Sequence, residues 1–86
     1  MQASDVLPDH QNQGDFNGVT IRKGTIAAFL ANATVWSDPA TAQAQRAIAE
    51  AHIEEALPAL RAVGLFDVLQ VRDAALRAWI DARWLD

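Results

Sequence analysis

The most constraining feature of this sequence is an alanine-rich stretch, residues 40–63, in which nine of 24 residues are alanine. Alanine has the highest helix propensity, so the stretch favours one long helix. Asp38 before Pro39 is typical of a helix start, and Gly64 suits the position just past a helix end. The pattern predicts a helix from residue 39 to residue 63 that buries one side, formed by Ala42, Ala49, Ile53, Ala56, Leu60 and Val63.

Pro58 lies inside this stretch and constrains the shape of the helix. A proline in a helix interior lacks the N–H that would bond the carbonyl four residues earlier, and its ring crowds that carbonyl, here that of Glu54. We therefore expect a kink between Glu54 and Leu57. Two separate helices meeting at this point are the alternative, which is weaker because Leu57 has no side chain that could cap a new helix.

Shorter helices are predicted on both sides of the long one. Thr25 suits an N-cap, and the apolar spacing after it predicts a first helix to residue 35 or 36, with a buried face that contains Ile26, Phe29, Leu30 and Ala33. Residues 65–69 form a compact apolar connection, with a helical turn as one option. Asp73 suits the start of a last helix to Trp84, with an apolar face that contains Leu69, Leu76, Trp79 and Ile80.

The N-terminal part of the chain differs in composition. Residues 1–14 show no helix or strand periodicity and carry few large apolar side chains, so we expect a disordered tail. Asp15-Phe16-Asn17-Gly18 is a turn-type cluster, and residues 19–22 then alternate apolar and polar side chains, as a half-buried strand does. The pattern predicts a short extended arm or, with Phe16 before the turn, a small hairpin.

Together these elements predict one mainly α domain over residues 15–86, a small three-helix bundle with a long Pro-kinked middle helix. A chain of 86 residues has room for one domain at most. Its 44 hydrophobic residues include 18 alanines, which leaves 26 larger side chains for the core. Small cores of this kind are often completed by association, so we expect a homo-oligomer, most simply a dimer.

Charge and residue usage exclude several classes of protein. With a net charge of −4, the chain lacks the cationic surface that nucleic-acid binding requires. Without cysteine there are no disulfides or thiolate metal sites, and His10 and His52 are too few for a histidine metal site, so no metal or cofactor is predicted. No apolar run reaches the roughly 18–20 residues of a membrane span, and no signal-peptide pattern is visible, so we expect a cytoplasmic protein.

Two segments of the chain resemble a family of small uncharacterised bacterial proteins. The resemblance extends over about half of the chain and rests on short patterns within it: Arg22-Lys23-Gly24-Thr25-Ile26-Ala27-Ala28-Phe29-Leu30, and then Ala56-Leu57-Pro58-Ala59-Leu60 through Val63-Gly64-Leu65-Phe66-Asp67. The family tends to have a proline-rich break after the Leu-Phe-Asp step, which this chain lacks. The resemblance implies no activity and no site residues. The excess of arginine over lysine and the alanine content independently favour a GC-rich bacterial source.

The corner between the predicted strand and the first helix is a candidate ligand site. Arg22 and Lys23 carry positive charge, and Gly24 and Thr25 lead into a helix N-terminus whose amides can receive an anion. The corner is not a nucleotide-binding P-loop, because its lysine precedes the second glycine and five residues rather than four separate the glycines. It could instead contact an anionic ligand or partner.

A catalytic arrangement is not visible in the sequence. His52 with Glu55, or Asp9 with His10, could form an acid–base pair. No nucleophile and orienting group accompany either pair, so we interpret His52 as a helix-surface residue. Glu50, Glu54 and Glu55 are interpreted as a solvated acidic face.

The function that these observations favour is a non-catalytic interaction or scaffold module that acts as a homo-oligomer. Tryptophan is enriched at interfaces, and the short arm could pair across a symmetry axis, so the candidate interface residues are Val19, Ile21, Trp36 and Trp84. Packing within the chain is an equal alternative for Trp36 and Trp84. The alternative function is a small binding module for an anionic ligand at Arg22, Lys23, Gly24 and Thr25.

Overall fold

A computed structural model describes residue 2, residues 13–16 and residues 18–84. In these residues a small hairpin precedes four helices, with the bounds β1 Gln13–Phe16, β2 Val19–Arg22, α1 Thr25–Ser37, α2 Gln43–Val63, α3 Leu65–Val68 and α4 Ala74–Trp84. The prediction of a mainly α fold with a short N-terminal extended element is confirmed. Most of the predicted tail, His10 and the side chain of Trp84 lie outside the described residues.

The two strands of the hairpin pair antiparallel, in a register that runs from Gln13 opposite Arg22 to Phe16 opposite Val19. Gly18 in the connecting turn has φ +81°, a conformation that glycine adopts without a steric penalty. Two residues of the predicted tail, Gln13 and Gly14, belong to β1 instead, because pairing with β2 gives their backbone groups partners.

The start of α1 differs from the prediction. Gly24, with φ +84°, is the N-cap, and Thr25 is the first helical residue. The Thr25 hydroxyl donates a 2.7 Å hydrogen bond to the carbonyl oxygen of Arg22. It therefore closes the turn between β2 and α1 instead of capping the helix.

The start of α2 also differs, because the helix begins at Gln43 rather than at the Asp38-Pro39 pair. The Asp38 carboxylate accepts a hydrogen bond from the N–H of Ala40 at 2.9 Å, and the Asp38 carbonyl accepts one from the N–H of Thr41 at 3.0 Å. These bonds make a tight turn between the helices, and α2 starts only after the extended Ala42.

The remaining helix boundaries follow the predicted signals. α2 is one helix through Pro58, so the alternative of two separate helices is wrong, and it ends at Gly64 with φ +76°. The predicted helical turn after Gly64 is α3. The Asp73 carboxylate accepts a 2.9 Å hydrogen bond from the N–H of Leu76, which is the N-cap contact expected at the start of α4.

The core lies where α1, α2 and α4 meet. Its buried cluster consists of Phe29, Trp36, Ile53, Leu57, Leu60, Leu76 and Ile80. The rings of Phe29 and Phe66 meet edge to face, with their centroids 5.8 Å apart. The predicted inner sides of α2 and α4 are confirmed at Ile53, Leu60, Leu76 and Ile80, and the structure adds Leu57 to the core.

The predicted buried face of α1 is wrong in two of its four positions. Ile26 and Leu30 are 45% and 57% exposed, whereas Phe29 and Trp36 are buried. α1 is apolar on nearly every side, so the spacing of its residues does not determine which side packs. Three positions of the other predicted faces are exposed as well: Ala42 just before α2, Val63 at the end of α2 and Leu69 after α3.

Candidate functional site

The predicted anion-binding corner opens onto a groove between β2, α1 and α2. The groove has a volume of about 450 Å³. Its polar lining residues are Thr20, Arg22, Thr25, Asn32, His52 and Glu55, and its apolar ones are Ala28, Phe29, Ala56 and Ala59. Of the four predicted corner residues, Arg22 and Thr25 line the groove and Lys23 and Gly24 do not.

Arg22, His52 and Glu55 bring charged and titratable groups to this groove, and all three residues are exposed. Their side chains have no hydrogen-bond or ion-pair partner among the described residues. Thr25 is already engaged by its bond to the Arg22 carbonyl, and the Asn32 amide nitrogen donates to the carbonyl of Ala28 at 3.0 Å. The Asn32 side-chain oxygen remains as an acceptor.

His52 and Glu55 are expected from the sequence to be ordinary surface residues, but both line the groove. The sequence does indicate that they share a helix face with two alanines, because His52, Glu55, Ala56 and Ala59 follow the spacing i, i+3, i+4, i+7. The four α1 residues of the groove, from Thr25 to Asn32, follow the same spacing. Only the packing of α1 on α2 shows that these two faces flank the same space.

The outer face of α1 is a second candidate surface. It comprises Ile26, Ala27, Leu30, Ala31 and Thr34, which are all exposed and lie on one side of the helix. In the described part of the chain seven large apolar side chains are exposed, against nine buried hydrophobic residues. The exposed set is therefore large for the size of the core.

The predicted interface residues lie elsewhere. Ile21 is 9% exposed and Trp36 is 6% exposed, both within a single chain, and Val19 is half-buried. Trp36 therefore follows the alternative of packing within the chain. Residues of α2 and α4 supply the partners for its ring.

Trp36 has a specific partner on each side. Its indole Nε1 donates a 2.9 Å hydrogen bond to Oε2 of Glu50. The guanidinium carbon of Arg46 lies 4.0 Å from the centroid of the Trp36 ring, and the ring of Trp79 lies 6.4 Å away, centroid to centroid. Glu50 is thus half-buried and engaged, not part of a fully solvated acidic face.

Trp79 continues this arrangement on α4. The guanidinium carbon of Arg83 lies 3.6 Å from the centroid of its ring. The Nε of Arg83 lies 3.5 Å from Oε1 of Glu54, an ion pair without hydrogen-bond geometry. Two arginines therefore flank a pair of tryptophans, and these contacts fix α4 and the end of α1 against α2.

Among the described residues, no three histidine, aspartate or glutamate side chains lie close enough together to hold a metal ion. Within the same part of the chain, no helix combines the length and apolarity that crossing a membrane requires.

A comparison with known proteins gave no matching family model, curated protein or solved structure. Function must therefore be inferred from the residues and their geometry.

Proposed function

We propose that this protein is a non-catalytic interaction module of the bacterial cytoplasm that acts as a homo-oligomer, most simply a dimer, through the outer face of α1. The observation that carries the proposal is the exposure of Ile26 and Leu30, 45% and 57%, one helical turn apart. Apolar area of this kind is stabilised by removal from water, at about 25 cal/mol per Å².

The charge distribution favours a second copy of the chain as the partner. α1 contains no charged residue, although 21% of the chain is charged and its net charge is −4. Two copies can therefore meet at this face without bringing like charges together. A two-fold axis would place the same apolar pair on both sides, as a self-complementary interface requires.

The small residues of the outer face support helix-to-helix contact. Ala27 and Ala31 lie beside Ile26 and Leu30 and have short side chains, which permit two helices to approach closely. The Val19–Arg22 arm can add to such an interface, because β2 has a strand beside it only on the β1 side in the described part of the chain.

We infer further that α1, α2 and α4 form a small three-helix bundle whose long helix α2 is bent at Pro58. The support for the bend is the position of Pro58 inside α2, where it removes one backbone hydrogen bond. The contacts of α1 with both α2 and α4 support the bundle.

Sedimentation equilibrium of the full chain at micromolar concentration tests the dimer. We expect a mass of twice 9.4 kDa for the wild type and a monomer for Leu30→Glu, which places a buried charge in the interface. The matched control is Val68→Glu, an acidic substitution at a residue that is 84% exposed and lies on α3. It should leave the dimer intact.

Two results would contradict the proposal. One is a wild-type protein that stays a monomer throughout the micromolar range. The other is a Leu30→Glu variant that sediments as the wild type does while its circular dichroism shows the same helix content. A loss of the dimer in Val68→Glu alone would assign the interface to the α3 end of the molecule.

The second candidate function is a small binding module for an anionic ligand at the Arg22–Thr25 corner. The observation that favours it is the groove, which Arg22 and Thr25 line together with His52. Inorganic phosphate should then raise the melting temperature of the wild type and not that of a variant with Arg22 and Lys23 replaced by alanine. No rise in the wild type would count against this function.

A further inference from the structure

We infer that the groove between β2, α1 and α2 binds a small zwitterion, a molecule with one anionic and one cationic group such as a free amino acid. The inference deepens the second candidate function and is independent of self-association. It rests on the charges, the hydrogen-bonding groups and the size of the groove.

The groove carries opposite charges that do not form an ion pair with each other. Arg22 on β2 and Glu55 on α2 both line the groove and are exposed, and they do not pair with each other or with another described residue. A ligand that carries both charges can bridge them. A simple anion can also contact Arg22, but it faces Glu55 and should therefore bind more weakly than a ligand that carries both charges. The net charge of −4 disfavours a polyanion.

The other groups of the groove suit the same class of ligand. The Asn32 side-chain oxygen can accept a hydrogen bond from an ammonium group, and the exposed His52 adds a further polar group. Phe29, Ala56 and Ala59 provide an apolar side against which a short side chain can pack. The volume of about 450 Å³ falls in the range of small-molecule sites.

The first experiment mixes the ¹⁵N-labelled wild-type chain with pools of the standard amino acids, each at about 10 mM. This concentration is high enough to detect binding with a dissociation constant in the millimolar range. We expect at least one pool to produce saturable shifts of the amide signals of Thr25, Asn32 and His52. The amino acid responsible is then compared with its N-acetyl derivative, which lacks the positive charge, and its amide, which lacks the negative charge. Each derivative should bind about tenfold more weakly, since each loses one charge-assisted contact.

Variants assign the two charges to residues. Arg22→Gln and Glu55→Gln should each weaken binding of the amino acid about tenfold, whereas Arg72→Gln, at an exposed arginine that does not line the groove, should leave it unchanged. Glu55→Gln should also abolish the preference for the amino acid over its N-acetyl derivative. The amide spectra of the variants without ligand report whether each one is folded.

Two outcomes would overturn the inference. If no pool shifts the groove amides, the groove does not bind amino-acid zwitterions. If the N-acetyl derivative or inorganic phosphate binds as tightly as the amino acid, and Glu55→Gln has no effect, the groove is a simple anion site. In that second case the zwitterion is excluded while the second candidate function stands.

Discussion

The two faces of α1 are both apolar, yet only one of them is buried. On the inner face Phe29 and Trp36 are 4% and 6% exposed, whereas on the outer face Ile26 and Leu30 are 45% and 57% exposed. The inner rings have defined partners, an edge-to-face contact with Phe66 and a hydrogen bond to Glu50. The difference shows that partners elsewhere in the chain, not hydrophobicity alone, determine which face of this helix packs.

The largest expected effect comes from removing the inner ring that has the most partners. Trp36→Ala should lower the free energy of unfolding by about 3–5 kcal/mol, because it creates a cavity and removes the contacts with Glu50, Arg46 and Trp79. Urea unfolding followed by far-ultraviolet circular dichroism measures this change. Trp36→Phe keeps a ring and loses the N–H donor, so it should lower the free energy of unfolding clearly less than Trp36→Ala does. Equal losses in the two variants would show that the hydrogen bond, not the ring, holds the inner face.

Replacing the proline inside α2, the helix against which the inner face of α1 packs, should raise the free energy of unfolding instead of lowering it. Pro58 is exposed, so Pro58→Ala removes no packing and restores a backbone donor; the free energy of unfolding should rise by up to about 3 kcal/mol. The matched control is Pro39→Ala in the turn before α2, where losing the rigid ring should lower stability by up to about 1 kcal/mol. Both are measured by urea unfolding. A Pro58→Ala variant that is less stable than wild type would mean that the bend proposed at Pro58 positions Leu57 and Leu60.

The structural features that could be predicted from the sequence are those fixed by neighbouring residues. Gly64 ends α2 because glycine adopts positive φ without a penalty, and Asp73 starts α4 because its carboxylate reaches an amide three residues ahead. β2 follows from alternation over four residues. Each of these signals involves only groups that are close along the chain.

Two kinds of feature could not be predicted. Some depend on contacts between segments that are distant along the chain, and others arise from a sequence pattern that is typical of two different local structures. An Asp-Pro pair suits both a helix start and a tight turn, and here it makes the turn. The inner face of α1 is set by Phe66 and Trp79, far along the chain. The groove could not be predicted because its residues come from three elements, although the spacing on each helix indicates which of them share a face.

A smaller effect tests the polar partner of Trp36. Glu50→Gln keeps an acceptor for the indole N–H but removes its charge, so the free energy of unfolding at neutral pH should fall by about 1 kcal/mol. Glu55→Gln is the matched control, because Glu55 is exposed and its side chain has no partner among the described residues. It should change stability by less than about 0.5 kcal/mol. A loss in Glu55→Gln as large as that in Glu50→Gln would attribute the effect to net charge and not to the bond with Trp36.

The smallest effect is expected on the outer face of α1, where the comparison between the two faces is sharpest. In the monomer, Leu30→Gln removes a side chain that is already 57% exposed and introduces another good helix former, so the free energy of unfolding should change by less than about 0.5 kcal/mol. The measurement is urea unfolding at a protein concentration low enough that the wild type is monomeric. Raising the concentration should then stabilise the wild type and leave Leu30→Gln unchanged, because association adds stability only to a chain that can dimerise. If Leu30→Gln instead loses as much stability as Trp36→Ala at low concentration, the outer face packs within the chain, and α1 has no free face to offer a second copy.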